Sequence, residues 1–168
     1  MWSERRRLLA LAGAGLGLAA CGFEPLYDPA GPAAALAGRI EVDVIPGSAG
    51  YAMRERLIER LGPAEAPTHR LAVDLRLTQV GVAITERDVT TRFDVAAVAE
   101  WRLYDRAVSG AVMAETERAV TGYSAPSSAT ASEFAILSAR QDAENRLTTL
   151  LADRIAQRVA LAAAGGGP

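Results

Sequence analysis

Apolar and polar side chains alternate along two long segments in the middle of the chain. The apolar face of the first segment holds Leu71, Val73, Leu75 and Leu77, and that of the second holds Phe93, Val95, Ala97, Ala99, Trp101 and Leu103. Because successive side chains of a strand point to opposite faces of a sheet, this period of two predicts two half-buried strands. A third run, Val112–Tyr123, follows a turn at Ser109-Gly110 and completes a predicted antiparallel meander.

A shorter strand and two helices flank this meander. Residues 39–45 alternate in the same way and stop at Pro46-Gly47, after which Ser48 is predicted to cap a helix that ends at Gly62-Pro63. Helical spacing gives this first helix the apolar residues Met53, Leu57, Ile58 and Leu61, with its arginines and glutamates mostly outward. Thr130 and Glu133 form a capping box before a long closing helix. The apolar stripe of that helix is predicted to hold Ile136, Ala139, Ala143, Leu147, Leu150, Leu151, Ile155 and Val159.

The order strand, helix, three strands, helix predicts an α+β domain in which two helices pack on one face of a four-stranded, mostly antiparallel sheet. Half of the residues are apolar and 23% are charged, which is typical of a globular domain with its own core. We assign that single domain to residues 39–161 and predict a disordered tail over residues 162–168. One cysteine allows no internal disulfide. One cysteine and one histidine together supply too few ligands for a structural zinc site.

Residues 1–20 have the features of an export signal. Arg5–Arg7 form a basic start, Leu8–Leu18 is an apolar run too short to span a bilayer, and LAAC follows at residues 18–21. This pattern matches the bacterial lipobox, in which the cysteine sulfur takes up diacylglycerol as a thioether before cleavage. We therefore predict lipidation at Cys21, with diacylglycerol and an N-acyl chain as the sole attached groups. The general secretory route and the twin-arginine route both remain open.

The residues after the predicted lipid site suggest where the protein lies. Gly22 stands where an aspartate would favour retention at the inner membrane, so we expect passage to the outer membrane, with the lipid in its inner leaflet. Residues 21–38 are rich in proline and glycine and predict an extended tether between the lipid and the fold.

The charge of the chain argues against one class of partner. The formal net charge is −2. Removing residues 1–20 takes away three arginines and one glutamate, which leaves 15 basic and 19 acidic residues and a net charge of −4. A nucleic-acid-binding domain needs a basic surface to displace the counterions of the phosphate backbone. We therefore expect no nucleic-acid partner.

The sequence lacks an arrangement of residues that would support catalysis. His69 is the sole imidazole, and no serine lies in a nucleophile-elbow motif. Glu115 and Glu117 lie two apart and share a strand face, which is compatible either with an acid–base pair or, more simply, with a solvated face. We therefore predict a protein that is not an enzyme, with no catalytic and no metal-binding residues.

Two arginines flank a predicted exposed turn. Arg87 lies within the polar stretch Glu86–Asp88, and Arg92 begins the next strand. Guanidinium groups bind phosphate and carboxylate in a bidentate manner, so this pair is a candidate anchor for an anionic ligand. A solvated charged hairpin explains the same residues and stays open as the alternative.

The seven residues CGFEPLY at positions 21–27 carry a family resemblance. A lipidated cysteine followed by this pattern resembles the start of the alphaproteobacterial LPS-assembly lipoproteins, the LptE family, and the downstream order of elements is similar over nearly the whole mature chain. The resemblance implies a small lipoprotein that plugs and helps to assemble the barrel of the outer-membrane lipopolysaccharide transporter, LptD. It also implies lipopolysaccharide as a ligand, for which Arg87 and Arg92 are the candidate residues. The alternative is a periplasmic scaffold lipoprotein unrelated to lipopolysaccharide.

Overall fold

The computed structural model describes residues 36–84, 90–124 and 133–165. It contains the predicted order of elements, whose bounds are β1 (Ile40–Val42), α1 (Gly47–Leu61), β2 (His69–Ile84), β3 (Thr90–Asp105), β4 (Ala111–Ser124) and α2 (Glu133–Ala163). The predicted α+β class is thereby confirmed. The predicted signal segment, Cys21 and the turn that carries Arg87 lie outside the described residues.

The four strands form one sheet in the order β1-β2-β3-β4. β1 pairs with β2 in parallel, and the other two pairings are antiparallel, as in the predicted meander. β1 is shorter than the predicted strand 39–45. After Val42, one further hydrogen bond joins the Asp43 amide to the Leu71 carbonyl oxygen at 2.9 Å. The chain then leaves the sheet and places Ile45 in the core beneath α1.

The core lies between one face of the sheet and both helices. The predicted alternation of β3 is confirmed, because the residues buried on its inner face are Val95, Ala97, Ala99, Trp101 and Leu103. Leu71 and Val73 of β2 join this cluster, and α1 contributes Met53, Leu57 and Leu61. Apolar area removed from water in this way is the main favourable term in folding.

The ends of α1 confirm one prediction and correct another. Ser48 is not the cap: the helix begins at Gly47, and Pro46 precedes it without a capping side-chain hydrogen bond. Gly62 ends the helix as predicted, in a left-handed conformation with φ of 84° that is unstrained only for glycine, and its amide bonds to the Ile58 carbonyl oxygen at 2.9 Å. Gly50 serves close packing instead, since a Cβ there would lie 2.6 Å from the Ile45 carbonyl oxygen.

The arginines of α1 are less outward than predicted. Arg56 binds both carboxylate oxygens of Asp153 on α2, through Nε at 2.9 Å and Nη2 at 3.1 Å, and it also binds Glu59 at 2.8 Å. These bonds raise the pKa of Arg56, with the Asp153 hydrogen bond as the largest cause. Arg60 reaches the same carboxylate at 3.3 Å. The two helices are therefore joined by an ion-pair cluster as well as by apolar packing.

α2 has 31 residues and extends along the whole sheet. Its buried stripe contains the predicted Ala143, Leu147, Leu151, Ile155 and Val159. The sequence pattern predicts Leu150 on this stripe, but the residue is exposed. The buried stripe passes from Leu147 to Leu151, four residues later, and Leu150 is rotated away from it toward solvent. The helix includes Ala162 and Ala163, while disorder of the tail stays a prediction and residues 166–168 lie outside the described part of the chain.

Candidate ligand-binding end of the domain

The long strands give the domain two separate ends. β2 and β3 each have 16 residues, and at about 3.3 Å per residue they are about 50 Å long. We call the end formed by Leu36–Arg39, Thr68 and Asp105–Gly110 the tether end, because the chain enters the fold there. We call the opposite end the hairpin end. It consists of Val80–Val82, Arg92–Asp94, Gly122–Ser124 and Glu133–Arg140.

Arg92 is exposed at the hairpin end. Strand register places it opposite Ser124 of β4 and Ala83 of β2. A Cβ added to the neighbouring Gly122 would lie 3.5 Å from Arg92 Nη2 and 3.0 Å from Asp94 Oδ1, so both side chains extend across a position without a side chain. No described carboxylate forms an ion pair with Arg92. Its guanidinium is therefore open to an anion on the part of the surface that the structure describes.

Two further arginines lie close to this end but already have acidic partners. Arg140 binds Glu144 at 2.7 Å, which is the main cause of its raised pKa, and Arg146 pairs with Asp142 at 3.1 Å. Arg146 also donates weakly to the Gly122 carbonyl oxygen at 3.4 Å. Sequence reasoning did not single out either residue, although counting from Glu133 places Arg140 about two turns into α2 and Arg146 about two turns farther along.

Apolar side chains accompany the charges at the hairpin end. Phe134 and Leu137 in the first turns of α2 are 77% and 56% exposed. Val80 and Val82 near the end of β2 are 57% and 50% exposed. Exposed apolar groups at the same end as Arg92, which has no ion-pair partner among the described residues, suit a ligand or partner that is itself amphipathic.

The ring of Phe93 supports this end from the inner face of the sheet. It stacks on Tyr123 of the neighbouring strand, with ring centroids 5.2 Å apart and an angle of 16° between the ring planes. Strand pairing places the two residues directly opposite each other, which is the arrangement in which cross-strand aromatic pairs stabilise a sheet. The backbone around Arg92 is therefore held by aromatic packing.

The remaining candidates from the sequence lie elsewhere. His69 is the first residue of β2 at the tether end, and its Nδ1 lies 2.9 Å from Thr68 Oγ1. Glu115 and Glu117 share a face as predicted, but that face is turned toward α2 rather than fully solvated. Arg158 pairs with them at 3.6 and 3.7 Å. These contacts make the two glutamates part of the packing between β4 and α2.

An open depression of about 470 Å³ adjoins this ion pair and is lined by Glu117, Arg154, Gln157, Arg158 and Leu161. Its lining contains no nucleophilic side chain. Among the described residues, no group of three or more histidine, cysteine or acidic side chains is arranged to hold a metal ion. Likewise, none of the helices in the described ranges combines the length and apolar character needed to cross a membrane.

Comparison with solved structures identifies the fold. A protein from Caulobacter crescentus described as a lipoprotein matches with a TM-score of 0.64 and 23% identity, covering 82% of this chain and 98% of its own. Lipoprotein B from Nitrosomonas europaea matches with a TM-score of 0.57 and 14% identity over 76% of this chain and 85% of its own. The rare lipoprotein B from Shewanella oneidensis matches with a TM-score of 0.51 and 13% identity, over 74% and 93% respectively.

Comparison with protein families identifies the relationship. No curated protein sequence matches the chain. The model of the LptE family, described as lipopolysaccharide-assembly, matches residues 37–159, which is the folded domain from just before β1 to near the end of α2. The resemblance seen in residues 21–27 and the match to the domain arise from different parts of the chain and agree. The chain therefore belongs to the LptE family of lipopolysaccharide-assembly proteins.

Proposed function

We propose that the protein is the lipoprotein subunit of an outer-membrane lipopolysaccharide transporter. In this proposal Cys21 carries the lipid that anchors the chain in the inner leaflet of the outer membrane. The domain fills the lumen of the LptD barrel, helps that barrel to assemble, and assists the insertion of lipopolysaccharide into the outer leaflet. It acts as a structural subunit without turnover. The family match over residues 37–159 is the observation that carries the proposal.

The sheet face that points away from the helices is compatible with a wet lumen. Arg76 forms ion pairs with Asp74 and with Glu100, both at 3.3 Å, in the middle of this face. Arg102 and Arg118 on the neighbouring strands are exposed. Charged groups of this kind keep their solvation in a water-filled barrel, whereas burial in a dry interface would cost far more. We rank the plug and assembly roles above ligand binding, because a net charge of −4 opposes strong attraction of lipopolysaccharide.

Two measurements of the barrel test the proposal: its recovery with the chain and its assembled amount after depletion. When the full lipidated chain is purified from membranes in mild detergent, we expect the barrel to accompany it as a near-permanent partner, because filling a lumen turns most of the domain surface into interface. Depletion of the chain should lower the amount of assembled barrel and make the outer membrane permeable to hydrophobic antibiotics. A normal level of assembled barrel after depletion would exclude the plug role and favour the periplasmic scaffold.

Reversing both candidate arginines should impair lipopolysaccharide handling without unfolding the domain. We expect Arg87→Glu with Arg92→Glu to lower the amount of lipopolysaccharide at the cell surface, since two guanidinium groups that would bind its phosphates become carboxylates. Arg92 is exposed, so the free energy of unfolding should change by only ~0–1 kcal/mol.

The matched control for this pair is Arg102→Glu with Arg118→Glu, which makes the same charge change on the outer sheet face away from the hairpin end. Surface lipopolysaccharide and the denaturation midpoint are measured for both pairs. Equal loss of surface lipopolysaccharide in the two pairs would show that net charge, and not the hairpin end, is responsible.

A further inference from the structure

The two edge strands of the sheet differ in how far the rest of the fold covers them. Along β4, arginines of α2 reach the edge: Arg154 Nη1 donates to the Arg118 carbonyl oxygen at 2.9 Å, and Arg146 donates to that of Gly122. Farther along the same edge, Arg158 pairs with Glu115 and Glu117. Covering an edge in this way prevents another strand from pairing there. On the opposite edge, β1 pairs with only three residues of β2, His69–Leu71.

The hydrogen bonds of β1 show which backbone groups of β2 face the open edge. The His69 amide donates to the Arg39 carbonyl oxygen at 3.0 Å, and the Leu71 carbonyl oxygen accepts from the Asp43 amide at 2.9 Å. In a strand, the N–H and C=O of one residue point the same way and those of the next point the other way. The odd-numbered residues that follow therefore present both groups to this edge: Val73, Leu75, Leu77, Gln79 and Gly81.

Beyond Leu71, no described residue outside β3 forms a backbone hydrogen bond with these groups. Within Val73–Gly81 no residue is proline or lysine and no charged side chain points inward, and the register shift of β2 lies beyond this stretch, between Gly81 and Ala83. Asp74 and Arg76 lie on the outer face. This stretch is thus a row of about ten polar backbone groups that a further strand could pair with.

The side chains beside this row fit an alternating segment. Leu75 and Leu77 are half-buried on the inner face and pack against the edge of the core. α1 has 15 residues, or about 22 Å, so it covers only part of a sheet whose strands are about 50 Å long. β1 shows what this edge accepts, because its Ile40 and Val42 are buried and its Glu41 is exposed.

We propose that Val73–Gly81 of β2 is a docking edge for an extended segment of the barrel partner, which adds a strand in line with β1. The segment carries apolar side chains at alternate positions, facing Leu75 and Leu77, and polar side chains toward Asp74 and Arg76. Main-chain hydrogen bonds then hold it, and the alternate side chains select it. The identity of the partner rests on the function proposed above; the edge itself rests on the strand geometry.

A second copy of the chain fits this edge less well. The two-fold antiparallel register that uses all five positions is centred on Leu77. It places Asp74 opposite Val80 and Arg76 opposite Thr78 of the other copy. Neither charge then meets an opposite charge across the new pairing, whereas the register centred on Leu75, which does pair Asp74 with Arg76, uses only Val73, Leu75 and Leu77 of the five positions. A segment from another protein is free of this constraint.

Because the N–H groups of β2 point alternately to β3 and to the open edge, substitutions at neighbouring residues test the two directions separately. Gln79→Pro removes an N–H that faces the open edge and should leave the β2–β3 ladder intact, because proline is tolerated on edge strands at such positions. Gln79→Ala keeps the N–H and is the matched control. Thr78→Pro removes an N–H directed at β3 and should lower the melting temperature. The full lipidated chain is used in each case, and the barrel recovered with it in mild detergent is quantified.

We expect Gln79→Pro to keep the melting temperature of the wild type and to lower barrel recovery about tenfold or more, while Gln79→Ala recovers the barrel normally. Equal recovery with both folded variants would overturn the docking edge and leave the proposed function standing. Failure of the wild type to recover any barrel would overturn both. A wild-type dimer that Gln79→Pro converts to a monomer, measured by light scattering, would assign the edge to a second copy and overturn the proposal.

Hydrogen exchange tests the same edge without a substitution. In the free full-length chain the amides of Leu75, Leu77 and Gln79 should exchange quickly, whereas that of Thr78 is protected by β3. In the complex with the barrel we expect the three edge amides to become protected. Unchanged exchange across Val73–Gly81 in a complex that has formed would overturn the proposal even if Gln79→Pro failed to fold.

Discussion

Replacing Trp101 with alanine should lower the free energy of unfolding by about 3–5 kcal/mol. The indole is 1% exposed and is the largest fully buried side chain described, lying on β3 between Val73 of β2 and Glu115 of β4. Its removal leaves a cavity at the centre of a core to which both helices contribute. The surrounding strands are fixed by long ladders, so they have little freedom to collapse into the space.

A matched variant separates the effect of the volume of the Trp101 side chain from that of its indole N–H. Trp101 Nε1 has no hydrogen-bond partner among the described atoms, and a buried unpaired donor is itself unfavourable. Trp101→Phe removes that donor and keeps an aromatic ring, so it should cost clearly less than Trp101→Ala. Denaturation is followed by circular dichroism, because the substitution deletes the tryptophan of the domain. An alanine variant within 1 kcal/mol of the wild type would contradict the central position of Trp101.

Replacing Cys21 with serine should abolish lipid attachment completely. A serine hydroxyl has no sulfur to form the thioether, so we expect an uncleaved precursor or an unlipidated chain released from the membrane. Mass spectrometry of the mature N-terminus is the measurement. The matched control is Gly22→Asp, which should keep the lipid but hold the protein at the inner membrane. An unmodified cysteine at the N-terminus of the wild type would end the lipoprotein assignment.

Most of the fold could be predicted from the sequence because it depends on periodicity. A single one-residue shift in β3 would exchange Trp101 and Arg102 between core and solvent, so the alternation fixes which face is buried. The length of β1 was only partly predictable in this way. Asp43 and Val44 continue the alternation of the first strand, but Ile45 is apolar at a position where a polar residue would follow. In the structure Val44 is exposed and Ile45 lies in the core beneath α1, so the pairing ends after Asp43.

Local signals failed where long-range contacts decide the outcome. Ser48 has the chemistry of a cap, yet the helix starts at Gly47, so the serine lies inside the first turn. Arg56 has the spacing of an outward residue, yet Asp153 lies 97 positions away in sequence and binds it. No pattern within 15 residues contains that partner. Of the two candidate ligand residues, Arg92 is placed at the exposed hairpin end, and Arg87 stays a prediction.

The length of the strands determines how far the domain could extend across a membrane. A bilayer is about 40–45 Å thick including its headgroups, and β3 alone, with 16 residues, is about 50 Å long. If the domain stands along the membrane normal inside a barrel, with its tether end at the inner leaflet, then Arg92 and Phe134 lie level with the outer leaflet. One rigid sheet would then connect a lipid anchored on one side of the membrane to the proposed insertion of lipopolysaccharide on the other. Shortening β2 and β3 by two residues each, which keeps the same side chains on the buried face, should withdraw the hairpin end by about 6.6 Å.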